Sequence, residues 1–154
     1  MAGSTIATNR KARYEYFIED SLEAGIELRG AEVKSLRDYK ASIAEAYAAI
    51  EGNQVWLHGM HIAPYQPATD QNLDPYRRRK LLLHGSQIRR LERQIQQKGY
   101  TLIPLKLYFN ERGYAKVELG VCRGKRQYDK REAIKEREFR RRAERAVSEH
   151  QRRQ

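Results

Sequence analysis

The chain has 154 residues, with 31 Lys or Arg against 20 Asp or Glu and a formal net charge of +11. That length suggests one domain with a real core plus an appendage, and the positive balance favours a nucleic-acid partner over acidic small substrates. A single cysteine excludes an intramolecular disulfide framework. With no signal-peptide stretch, lipidation signal or apolar run near the ~20 residues of a spanning helix, a reducing cytoplasm without a membrane partner is expected.

Residues 1–12 read as a short polar arm. Alternation begins at Tyr14, Tyr16 and Ile18, with Glu15, Phe17 and Glu19 on the other face, which predicts a first strand. Ala24, Ile26 and Leu28 alternate with Glu23, Gly25 and Glu27 as a second. Gly30 opens AEVKSLRD, where Val33 and Leu36 lie on one side of a short helix. A third strand carries Ala44, Ala46, Ala48 and Ile50, and Gly52-Asn53 joins it as a hairpin to QVWLHGMHI. The stretch APYQPATDQNLDPYRRR, with Pro64, Pro67 and Pro75, reads as a long loop, and loops of that length are often functional. Ser86 can cap a helix with Ile88, Leu91 and Ile95 on one face, ended by Gly99, while Arg89, Arg90 and Arg93 point elsewhere. The last hairpin is the strongest. Thr101, Ile103, Leu105, Leu107 and Phe109 lead through NERG to Ala115, Val117, Leu119 and Val121.

The chain is therefore expected to be mainly β with short helices: six strands, mostly in hairpins, forming a small antiparallel barrel over residues 13–122. A sandwich is the alternative. After Cys122 alternation gives way to charge. Residues 123–154 hold 13 basic and six acidic side chains, with only Tyr128, Ile134, Phe139 and Val147 as bulky apolar or aromatic groups. So little apolar surface cannot offset the ordering entropy, so this basic tail is expected to be disordered when free. Its grammar is helical nonetheless. Asp129 and Glu132 can form a capping box, and Glu136–Arg140 and Glu138–Arg142 are i,i+4 pairs worth only ~0.2–0.5 kcal/mol each. Arg137, Arg141 and Arg145 repel along one face. A polyanionic wall would remove that repulsion, so the tail should become helical on binding.

Nothing argues for catalysis, a cofactor or a metal. GVCRGKRQ is one residue short of a phosphate-binding loop between Gly120 and Gly124, and Arg126 stands where Ser or Thr must hold magnesium. His58 and His61 would point to opposite faces of a strand, with no Cys nearby. The basic clusters are more informative. Asn9-Arg10-Lys11-Ala12-Arg13 leads straight into a strand and Arg77-Arg78-Arg79-Lys80 into Leu81-Leu82-Leu83, placing cations at the edge of a rigid body. Together with Lys106 and Lys116 on outward strand faces and with exposed tyrosines, they point to RNA, whose bases stack on aromatic rings and whose phosphates take cations.

Several blocks resemble the SmpB family, the small protein partner of tmRNA: NRKARYEYFIEDSLEAGIELRGAEVKSLR, DPYRRRKLLLH, GYTLIPLKLYF, GYAKVELGVCRGK, and GKRQYDKR followed by IKERE. They cover most of the chain in order. The resemblance implies an oligonucleotide-binding (OB) type of barrel that binds the tRNA-like domain of tmRNA, supports its aminoacylation and delivers it to stalled ribosomes for trans-translation. By motif it implies tmRNA contacts at Asn9, Lys11, Glu23, Leu81 and Lys116, with Arg10, Arg13, Arg79, Lys80, Lys106 and Lys125 as the surrounding cations. Lys11 and Lys116 suit phosphates, Leu81 a base or sugar, and Glu23 a base edge or a neighbouring cation. For Leu81 the residue pattern by itself favours core.

The resemblance also implies that the tail probes the empty mRNA channel. Tyr128 would stack in the decoding centre, Asp129 cap a helix, and Lys130 and Arg131 meet rRNA phosphates. Ile134, Lys135, Arg137, Phe139 and Arg140 would follow along the channel wall. Partners are then tmRNA and the ribosome, with elongation factor Tu left open. Tyr128 stands where some members carry His, Phe139 where a Trp is familiar, and Ala146-Val147 where larger apolar residues occur. A structural ribosomal protein and an RNA-processing enzyme are the competing functions.

Overall fold

The computed structural model describes residues 3–65, 73–125 and 137–145. The described chain runs β1 (Ser4–Thr8), α1 (Arg10–Glu15), β2 (Tyr16–Ile26), α2 (Gly30–Arg37), β3 (Ala41–Ser42), β4 (Tyr47–Glu51), β5 (Gln54–His58), β6 (His61–Ile62), β7 (Arg79–Leu82), α3 (Gly85–Lys98), β8 (Thr101–Phe109) and β9 (Ala115–Gly124). Strands β8, β4, β5, β7, β2 and β9 pair in that order, and β9 returns to β8, so the antiparallel sheet closes on itself. Closure removes the free edges that an open sheet of this size would have to protect. The barrel is the observed form, not the sandwich.

Inward residues of alternating strands fill the barrel, among them Ala24, Ile26, Val55, Leu57, Leu81, Leu107, Val117, Leu119 and Val121. Helix α3 adds Ile88 and Leu91 to this core and ends at Gly99, whose φ of +67° is the left-handed stop that favours glycine. Between β4 and β5, Gly52 and Asn53 both have positive φ, as a two-residue hairpin requires. A smaller cluster lies on the outer wall, where Ala12 of α1 packs with Ile103, Leu105 and Cys122.

Six strands close the barrel as expected, but they are not the six the pattern suggested. The two strands read at 14–18 and 23–28 are one strand from Tyr16 to Ile26, β2, with Tyr14 and Glu15 in α1 and a register shift between Ile18 and Asp20 where the alternation falters. A bulge shifts the side-chain phase without ending the ladder, so it looks like a boundary in sequence. The place left open in the ring is filled by β7, at the end of the stretch read as a loop. QVWLHGMHI breaks after β5 at Gly59, where φ is +76° and a Cβ would sit 2.8 Å from the Glu45 carbonyl oxygen.

Three boundaries also move. The polar arm contains β1, which pairs with β8 from Ser4–Phe109 to Thr8–Lys106, and it is followed by helix α1. Helix α3 is capped at His84 and not Ser86, with the His84 N–H donating to Gln87 Oε1 at 2.9 Å. Strand β9 continues to Gly124, two residues beyond the expected end of the barrel.

Candidate nucleic-acid interface

Because strand residues alternate across a sheet, the partners of the core positions line one outward face. Leu82 of β7 lies opposite Gly25 of β2, Gly25 opposite Lys116 of β9, and Lys116 opposite Tyr108 of β8. The next row places Glu23 beside Glu118 and Glu118 beside Lys106. At the β7 side of this face an open groove of about 440 Å³ is lined by Glu23, Gly25, Lys80, Leu82, His84 and Lys116, among others. Gly25 keeps the floor low, since a Cβ there would come within 3.2 Å of Leu82 Cβ.

The groove thus brings together Glu23, Lys80 and Lys116 of the expected site. Neither lysine has a carboxylate partner among the described residues, so both charges remain available to a polyanion. Lys106 lies nearby, its Nζ 5.1 Å from the centre of the Tyr108 ring. The Tyr108 hydroxyl donates a short hydrogen bond to Glu23 Oε2. Burial, then the hydrogen bond to Glu23 and the charges of Glu23 and Glu118, push the phenol pKa upward, so Tyr108 remains a donor at neutral pH.

Other expected residues lie elsewhere. Arg10 and Arg13 are exposed on α1, and Lys125 Nζ donates to the Arg13 carbonyl at 3.1 Å and sits 5.2 Å from the Phe17 ring centre. Lys11 pairs with Glu45 at 3.1 Å and lies 3.8 Å from Glu15. The Glu45 hydrogen bond, then the two carboxylate charges, raise its pKa.

Three residues expected at the RNA surface are buried. Asn9, 4 % exposed, donates to the carbonyls of Pro104 and Ile43 and accepts the Ala12 N–H, so its amide caps α1 and ties it to β8. Leu81 is core, 0 % exposed; the outward apolar side chain of that strand is Leu82, at 51 %. Alternation within β7 could have found Leu82 had the strand itself been recognised. Arg79 is also fully buried. Its Nε donates to Glu32 Oε2 at 2.8 Å, Nη1 to the Met60 carbonyl and Nη2 to the Pro75 carbonyl.

That buried Arg79 explains why RRRK misleads as a basic cluster. Arg77 also pairs with Glu32, and Arg78 pairs with Glu51 at 2.7 Å while stacking on Trp56. Only Lys80 of the four retains no carboxylate partner among the described residues. Burial works to raise the Glu32 pKa, but the Arg29 N–H and the Arg77 and Arg79 guanidinium bonds outweigh it and hold the carboxyl below its ordinary range.

Of the expected tail residues, Tyr128, Asp129, Lys130, Arg131, Ile134 and Lys135 lie outside the described residues. Residues 137–145 are helical and exposed throughout, including Arg137, Phe139 and Arg140. Glu138 and Arg142 form one of the expected i,i+4 pairs, at 3.9 Å. No group of His, Cys, Asp or Glu side chains among the described residues could hold a metal, and no described helix is long and apolar enough to cross a membrane.

The family model of the SmpB protein matches residues 6–149. An SsrA-binding protein of Chlorobaculum tepidum is 58 % identical over 137 residues, covering 89 % of this chain and 87 % of that protein. Those of Leifsonia xyli and Geobacillus thermodenitrificans are 52 % and 50 % identical, covering 93 % and 97 % of this chain and 90 % and 96 % of their own lengths. A chain from a solved structure described as "tmRNA-SmpB: a journey to the center of the bacterial ribosome" superposes with a TM-score of 0.64 at 51 % identity, covering 82 % of this chain and 92 % of that one.

Proposed function

The chain belongs to the SmpB family, a family of RNA-binding proteins and not of enzymes, and from that premise we propose that it is the adaptor of tmRNA in trans-translation. Its barrel grips the tRNA-like domain of tmRNA, supports charging with alanine and delivers the RNA to stalled ribosomes in the cytoplasm. Elongation factor Tu enters through the ternary complex. The observation that carries this reading is the groove: Lys80 and Lys116, without carboxylate partners among the described residues, line it together with Glu23 and the exposed Leu82. Cations supply affinity for phosphate, and the carboxylate and apolar side chain supply base and sugar contacts.

The tail acts at a second place. A vacant message channel is lined by rRNA phosphate, which would relieve the Arg–Arg repulsion and favour a helix starting at Asp129. Tyr128 stacks on a decoding-centre base, and Lys130, Arg131, Lys135, Arg137 and Arg140 meet phosphates. Ile134 and Phe139 lie against the wall. An intact message excludes this helix sterically and electrostatically, which gives selectivity for stalled ribosomes. Truncation after Arg123 separates the two activities. It should keep most tmRNA affinity in a filter-binding assay and abolish peptide tagging on ribosomes stalled in vitro. Tagging at the full rate by the truncated protein would defeat the tail assignment.

A further inference from the structure

A carboxylate is a poor choice for a groove that holds phosphate, because it repels the ligand it sits beside. Glu23 nevertheless lines the same groove as Lys80 and Lys116, directly across from another acid, Glu118. Like charges opposite one another disfavour the strand pair. Neither groove lysine neutralises it. Its one described partner is neutral, the Tyr108 hydroxyl on Oε2, and Oε1 has no protein partner among the described residues. Tyr108 reaches it across β9 and fixes where the carboxylate lies, and Gly25 and Leu82 leave a low apolar floor next to it.

We propose that Glu23 reads the Watson–Crick edge of one unpaired guanine, with Tyr108 as the residue that positions it; the inference rests on the RNA-binding reading above. An ionised carboxylate only accepts hydrogen bonds. Guanine alone among the four bases presents two adjacent donors, N1–H and the 2-amino group, to a pair of such oxygens. Adenine and cytosine set one amino donor beside a ring nitrogen acceptor, and uracil sets its single N–H between two carbonyls. The second carboxylate oxygen repels each of these arrangements. Since the contacted edge is the pairing edge, the guanine must be unstacked from a loop, where proteins read RNA sequence most directly. Leu82 then packs against its ring or ribose, and Lys80 and Lys116 take the flanking phosphates.

Analogue interference tests this with full-length protein. Transcripts of the tRNA-like domain carry randomly placed inosine, which lacks only the 2-amino group, and are partitioned by filter binding. The wild-type protein should select against inosine at one loop guanine by roughly tenfold, the loss expected for one charge-assisted hydrogen bond, and should tolerate 7-deazaguanine there. Glu23→Gln should bind more weakly and show no preference at that position, because its amide group opposes one of the two donors. Tyr108→Phe should show a reduced preference at the same nucleotide, which a merely structural loss would not produce. Inosine tolerated at every position by wild-type protein, or a preference unchanged in Glu23→Gln, overturns the proposal while leaving RNA binding intact. Failure of the unmodified transcript to bind overturns the RNA-binding reading itself.

Discussion

Glu32 and Glu23 are both carboxylates set among cations, yet their surroundings are opposite. Glu32 is 3 % exposed and saturated: the Arg29 N–H and Arg77 share one oxygen, and Arg79 takes the other. Glu23 is exposed, receives one neutral donor, and keeps an oxygen open to a groove. A saturated acid joins parts of the protein, here α2 to β7. An unsaturated one beside uncompensated lysines is left for a ligand. Charge alone does not distinguish the two; the count of satisfied lone pairs does.

The largest consequence of that contrast should appear in stability. Burial lowers the Arg79 pKa, but a guanidinium stays protonated inside proteins, so replacing Glu32 with Gln leaves a charged and buried Arg79. Breaking a buried pair in this way costs about 3–5 kcal/mol, whereas Glu23→Gln on the surface should change stability by less than about 0.5 kcal/mol. Acid titration sharpens the point. The folded-state pKa of Glu32 lies below its unfolded value. Its contribution is therefore complete above the ordinary carboxylate range and is lost as pH falls through the folded value. Urea midpoints measured against pH should show an acid limb that flattens in Glu32→Gln. An unchanged limb would mean that Glu32 carries no linkage to folding.

Neighbouring residues of β7 make the same distinction with apolar side chains. Leu81→Ala should cost about 2–5 kcal/mol by cavity formation, and its loss of RNA binding should follow the unfolded fraction. Leu82→Ala should leave the thermal midpoint nearly unchanged and weaken tmRNA binding several-fold. If Leu82→Ala binds normally, the apolar floor of the groove makes no contact.

Much of this was legible in the chain. Closure into an antiparallel barrel followed from hairpin-forming runs such as Ala115–Val121 and Thr101–Phe109, although a register shift between Pro104 and Lys106 sends Ile103 and Leu105 to the outer cluster while Leu107 lies in the barrel core. Glu23, Lys106 and Lys116 were assigned outward by alternation and lie outward. What the pattern missed was decided by distant parts of the chain. Arg79 is buried because Glu32, 47 residues earlier, and the Met60 and Pro75 carbonyls meet it. No local rule anticipates a strand whose inward face begins with arginine. Asn9 looked like part of a basic patch, but its amide reaches the carbonyls of Ile43 and Pro104, which only the closed barrel brings near. Strand β1 escaped notice because its ladder on β8 stabilises a segment too polar to suggest burial.

The smallest expected effect separates the lysines themselves. Lys116 has no carboxylate partner among the described residues, so its meeting with an RNA phosphate releases a condensed counterion in full. Lys11 is already hydrogen-bonded to Glu45 and near Glu15, and bringing a phosphate to that group of charges adds repulsion as well as attraction. Lys116→Ala should lower the slope of log K against log salt by about one unit. Lys11→Ala should lower it by clearly less, because Glu45 and Glu15 already balance the Lys11 charge in the free protein. Binding of a tRNA-like-domain transcript between 50 and 200 mM salt, on the order of the range where such slopes are resolved, measures both. Equal slopes for the two variants would show that the carboxylates beside Lys11 release it on binding, and that partner counting on the free protein does not rank its cations.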